Sequence, residues 1–94
     1  MIVKHRVRGT YEDFETVKQG IQASLDRKTA SVAARNLYLN IDATLATVRL
    51  NNDQPIVPID AQVVFWLTGA ELEVAQELRA YAGLPELLVV GTTR

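Results

Sequence analysis

Lys4, Arg6 and Arg8 alternate with Val3, His5 and Val7 near the start of the chain. Side chains at every second position of an extended segment point to one side, so these cations form a row. A row of this kind can neutralise successive phosphates, which marks Lys4, Arg6 and Arg8 as a candidate anion or nucleic-acid contact. A plainer explanation is an edge strand whose charges discourage sheet-to-sheet pairing, and it is the preferred one. His5 is the sole histidine. Histidine is the commonest general base, but it needs a partner within hydrogen-bond reach. Its alternation with Val3 and Val7 puts it on the inward side, as a half-buried strand residue.

The other constellations are weaker. Glu73 and Glu77 stand four apart at a helical spacing that metal sites use, without a histidine beside them, and read as a solvated face. Ser24 and Ser31 lack the context of an activated nucleophile. Gly9-Thr10 and Thr68-Gly69 are strand-to-helix junctions, but each carries one glycine where a phosphate loop needs several. Asp13, Glu15 and Glu71 already lie at those positive helix ends. The chain has no cysteine, which excludes a disulfide scaffold, a zinc–thiolate site and a thiol nucleophile. No catalytic, metal-ligating or cofactor-binding residue is assigned, no cofactor is expected, and the reading leans away from an enzyme.

Trp66 carries more information. Phe65 and Leu67 belong to an inward set, so Trp66 faces the other way with Val64. Tyr38, Val48 and Leu50 are expected to join them across a hairpin. An apolar patch of this kind on an open sheet face marks an interface, and Trp and Tyr are enriched in interface cores. The predicted interface is therefore Tyr38, Val48, Leu50, Val64 and Trp66.

The elements that must position these residues follow from periodicity. Ile2 to Gly9 reads as a strand. Thr10 reads as an N-cap, with Glu12, Asp13 and Glu15 in a first turn where the helix dipole favours negative charge. Phe14, Val17, Ile21 and Leu25 then share one face of a helix over Tyr11 to Arg27. Gly20 inside it costs about 1 kcal/mol relative to Ala, a cost attributed to close packing on a strand.

Ser31 to Leu50 reads as strand, with Leu37, Leu39, Ile41, Ala43 and Leu45 at odd positions. The apolar set then shifts to Ala46, Val48 and Leu50, which predicts one bent strand or two short ones. Asn51-Asn52-Asp53-Gln54-Pro55 is a strong turn signal and predicts a hairpin into a strand over Val57 to Leu67. Thr68 and Glu71 form a capping box for a helix bearing Val74, Ala75, Leu78, Tyr81 and Ala82 on one face, closed by Gly83 and Pro85. Leu87 to Val90 suits a strand buried on both faces, and Gly91 to Arg94 a frayed tail.

The order β-α-β-β-α-β predicts one α+β domain over residues 1–94, a two-layer sandwich of ferredoxin-like type. The alternative is a five-stranded mixed sheet with two helices on one face. Composition agrees with a folded domain: 94 residues, 48% hydrophobic and 22% charged. Ten basic and eleven acidic residues give a net charge of −1, so no global bias points to nucleic acid or anionic membrane. The N-terminus has no long apolar core of a signal peptide, and no apolar run would span a bilayer, so a cytoplasmic location and no membrane partner are expected.

The leading expectation is a non-enzymatic interaction domain that forms a homodimer, or binds a protein partner, through the sheet face around Trp66. Nucleic-acid binding through Lys4, Arg6 and Arg8 ranks second, because the chain has no Gly- and Phe-rich segment of the kind that stacks bases on RNA-binding sheets. A small cofactor-free dimeric enzyme using His5, Tyr38 and Trp66 ranks third, by analogy with the fold class alone.

Overall fold

The computed structural model describes residues 2–50 and 60–93. The elements run β1 (Lys4–Thr10), α1 (Tyr11–Asp26), α2 (Val32–Leu50), β2 (Gln62–Thr68), α3 (Gly69–Tyr81) and β3 (Leu88–Thr92). The sheet order is β2-β1-β3, antiparallel throughout. The fold is α+β, with three described strands and three helices, in the order β-α-α-β-α-β. Among the described residues neither the ferredoxin-like order nor the five-stranded alternative is found, because the segment expected as strand before the turn is helical. None of the described helices is long and apolar enough to cross a membrane.

The two helices that were signalled by their caps form where the caps place them. Thr10 is extended, its hydroxyl accepts from the Asp13 N–H at 3.0 Å, and Asp13 Oδ2 accepts from the Thr10 N–H at 2.8 Å. Thr68 and Glu71 repeat the arrangement at the start of α3, at 3.2 and 2.9 Å. Each box satisfies two backbone donors that a helix start otherwise leaves open. At the far end of α3, Gly83 takes φ +74°, and its N–H and that of Leu84 reach back to Ala80 and Arg79. This is a Schellman closure, and the left-handed position suits glycine because no Cβ is present to clash. Helix α1 closes the same way through Lys28, at φ 59°, without that relief.

The main correction concerns Ser31 to Leu50, which forms helix α2 and no strand. Ala34, Leu37, Ile41 and Leu45 are buried, at intervals of three, four and four. That is the helical repeat. The alternation seen in the sequence overlaps it, because two steps of a period-two pattern equal one four-residue step. Leu37 and Leu39 separate the two readings: a strand puts them on one face, whereas Leu37 is 0% and Leu39 64% exposed. The start of α2 is marked by Ser31, whose Oγ accepts from the Ala34 N–H at 3.1 Å. The turn over 51–55 and the strand beginning at 57 lie outside the described residues as far as residue 59; strand β2 begins at Gln62.

The three helices pack on one face of the sheet. Val7, Val63, Phe65 and Leu67 point into that layer and meet Phe14, Val17, Ile21, Leu37, Ile41 and Leu45. Phe14 stacks on Phe65 with ring centroids 4.0 Å apart. Gly20 packs against Leu78 of α3, so its neighbour is a helix where a strand was expected.

Three further expectations change. Tyr81, assigned to the packed face of α3, is 95% exposed. β3 is an edge strand with Leu88 and Val89 partly open to solvent, and so is not buried on both faces. The expected frayed tail is partly ordered: Gly91 and Thr92 belong to β3, and the Thr93 N–H donates to the Lys4 carbonyl at 2.8 Å.

Candidate functional site

Because all the described helices lie on one face, the other face of the sheet is open among the described residues. Its residues follow from the register. Lys4, Arg6 and Arg8 stand opposite Thr68, Trp66 and Val64 of β2. On the other flank Arg6 stands opposite Gly91, and Arg8 opposite Leu88. Paired residues in an antiparallel ladder share a face. The basic row and the Trp66 patch, treated as separate features in the sequence, are therefore one surface.

The row also occupies a different strand position from the one expected. β1 lies between β2 and β3, so its charges do not protect an edge. They run down the middle of the open face, and alternation places neighbouring cations about 6.7 Å apart along the strand. The three strands, KHRVRGT, QVVFWLT and LVVGT, contain no aspartate or glutamate. Among the described residues, Lys4, Arg6 and Arg8 form no ion pair, whereas Lys18, Arg49 and Arg79 each have a carboxylate partner.

Trp66 is 44% exposed, and the Arg6 Cζ lies 5.9 Å from its ring centroid. A guanidinium at this distance is attracted by the ring quadrupole. On the opposite flank the Arg6 side chain lies beside Gly91: a Cβ built there would be in ordinary contact, 3.7 Å, with the Arg6 Cβ and Nε. The backbone under Trp66 is anchored from the helical layer, where Asn40 Nδ2 donates to the Trp66 carbonyl at 3.2 Å.

Of the predicted interface residues, Val64 and Trp66 stand on the open face. Tyr38 and Val48 do not, because they belong to α2. Tyr38 packs partly against the core, with the Lys18 ammonium 5.7 Å from its ring, and Val48 also packs against the core. Leu50 ends α2, and its side chain lies outside the described residues. Leu88 and Gly91, absent from the expected set, join the surface. The burial expected for the Leu87–Val90 run concealed Leu88; its outward position follows from its pairing with Arg8 on the open face.

His5 lies on the half-buried side of β1, and its Nδ1 is 3.2 Å from Thr92 Oγ1. His5, Tyr38 and Trp66 do not converge. His5 stands opposite Leu67, on the face away from Trp66, and Tyr38 is beside α1. Glu73 and Glu77 are exposed on α3, and the described residues hold no metal-binding cluster. A cavity of about 430 Å³ opens between α1 and α3 beside Gly20, Leu78 and Tyr81. Its ionisable side chains are Arg27, Arg79 and Tyr81, and Arg79 is already held by Asp13 and the Pro85 carbonyl. That set supplies no acid–base pair.

No protein-family model matches the chain, and comparison with curated proteins and with solved structures finds no match. The functional reading therefore rests on the geometry of the open face.

Proposed function

We propose that the protein is a non-enzymatic binding module whose open sheet face takes an anionic partner. The observation that carries this is the central row of Lys4, Arg6 and Arg8 on a face whose strands hold no carboxylate. Charge complementarity sets partner choice and association rate at such surfaces. The same observation argues against two copies stacked face to face. Stacking would press one cation row against another with no acidic residue of these strands between them, and like charges across an interface are costly. The apolar neighbours Val64, Trp66 and Leu88 add contact area to the charged row.

Retention on immobilised heparin tests the proposal. The chain carries net charge −1, so retention reports a local patch and not overall charge. The wild type is expected to bind at low salt and to elute as salt rises. Arg6→Glu/Arg8→Glu is expected to flow through. Arg27→Glu/Arg35→Glu changes the net charge equally at two exposed positions outside the sheet and is expected to be retained. Equal behaviour of the two double variants, or no wild-type retention, would overturn the reading.

A further inference from the structure

We infer that the anionic partner is a single-stranded nucleic acid, with one base stacked on Trp66 and its backbone running along Lys4, Arg6 and Arg8. This rests on the anion-binding reading above and narrows it to one ligand class.

The indole provides the first argument. Trp66 presents an aromatic ring to solvent immediately across from Arg6. An acidic peptide meets the cations through its carboxylates, and these carry no aromatic face for the ring. A nucleotide uses both: the base stacks on the aromatic face while the phosphate meets the guanidinium. Stacking of this sort tolerates any base, because every base has a π-face.

Surface shape provides the second. The cations lie in one line on the middle strand, flanked by Trp66 and Val64 on one side and by Gly91 and Leu88 on the other. A single line of charge follows a single phosphodiester backbone. A duplex presents its bases only in grooves, which admit a helix or a two-stranded ribbon. The middle of a three-stranded sheet cannot enter them, and a duplex would leave Trp66 without a base to stack on.

The spacing of the cations provides the third. Lys4 to Arg8 spans about 13 Å of strand, which fits a short site of roughly three phosphates, one per cation.

The experiment uses the natural reporter. Trp66 is the only tryptophan, so its fluorescence reads the site directly. Oligo(dT) and oligo(U) of twelve nucleotides are titrated into the whole chain, alongside a poly-glutamate peptide, heparin and a twelve-base-pair duplex. Saturable quenching by the single strands is expected, and heparin should bind without it. The logarithmic salt slope for single strands is expected near −2, about 0.7 for each of three phosphates. With labelled oligonucleotide and anisotropy detection, Trp66→Ala should weaken binding about 5- to 150-fold. Trp66→Phe should restore most of it, and circular dichroism should be unchanged in both.

Heparin or poly-glutamate binding without single-strand binding would overturn this inference and leave the anion-binding reading standing. Duplex binding as tight as single-strand binding, with Trp66→Ala neutral, would also overturn it. Absence of binding to every probe would overturn both.

Discussion

Arg79, in the last turn of α3, reaches Asp13 in the first turn of α1, with Nη1 3.1 Å from Oδ1. The same carboxylate caps α1 through the Thr10 N–H, and the same guanidinium donates through Nε to the Pro85 carbonyl at 2.8 Å. One pair of side chains thus joins the start of α1, the end of α3 and the approach to β3. Arg79 is 4% exposed, so its charge depends on these two partners.

Asp13→Ala is expected to cost about 2–4 kcal/mol. Loss of the cap accounts for roughly 1 kcal/mol, and the rest reflects a buried guanidinium left without its carboxylate. Arg79→Met removes the buried charge itself and is expected to cost less, near 1–2 kcal/mol. Urea unfolding of both variants checks the order, and a larger loss for Arg79→Met would contradict this account of the pair.

Acid stability depends on the same carboxylate. Burial pushes the Asp13 carboxyl up, but the Thr10 N–H, the Thr10 hydroxyl and the Arg79 guanidinium together outweigh it and hold it below the ordinary value of 3.8. The unfolded chain then binds this proton at a higher pH than the folded one. The contribution is therefore fully present above pH 3.8 and is lost as pH falls through the lower folded value. Asp13→Asn is expected to flatten that part of a stability–pH curve measured by urea unfolding between pH 5 and 2.

Gly9 and Gly20 are expected to respond to alanine in opposite directions. At Gly9 a Cβ would stand 3.1 Å from both Asp13 Oδ2 and Phe14 Cε2, and 3.3 Å from Leu87 Cδ2. Gly9→Ala should destabilise by about 1–3 kcal/mol, the range for overpacking. At Gly20 the nearest atom is Leu78 Cδ2 at 3.4 Å, an ordinary contact. Gly20→Ala should stabilise by about 0.5–1 kcal/mol through helix propensity and a less flexible unfolded chain. Thermal melts of the two variants should move apart.

Helix α2 can be tested by a pair of leucines two positions apart. Leu37→Ala is expected to cost about 2–5 kcal/mol, because the side chain is fully buried. Leu39→Ala should fall within about 0.5 kcal/mol of wild type, as exposed substitutions do. Equal losses would favour a strand, in which both residues share a face.

The positions of the open face should separate binding from folding. Arg6→Glu and Trp66→Phe are expected to shift the unfolding midpoint by less than about 1 kcal/mol equivalent, since both are solvent-facing. A collapse of stability in Arg6→Glu would show that the row is structural.

Local chemistry made α1, α3 and the first strand readable from the sequence alone. Thr10 with Asp13, and Thr68 with Glu71, bond within their own turns, so a short stretch of chain suffices to specify them. Gly83 and Pro85 end α3 by their own backbone limits. The face of Val64, Phe65, Trp66 and Leu67 follows from strict alternation, which is also local. Ser31 to Leu50 reads as strand because Leu37, Ile41 and Leu45 satisfy both periods, and the Ser31 cap is weaker punctuation than a glycine or proline.

What only the tertiary structure decided is which strand lies in the middle. Strand order depends on contacts between residues far apart in the chain, such as Arg6 with Trp66 and with Gly91. No local periodicity encodes it. With β1 at an edge, Lys4, Arg6 and Arg8 would be protective charge, and Trp66 an isolated apolar residue. With β1 central, the same residues form one continuous basic and aromatic surface.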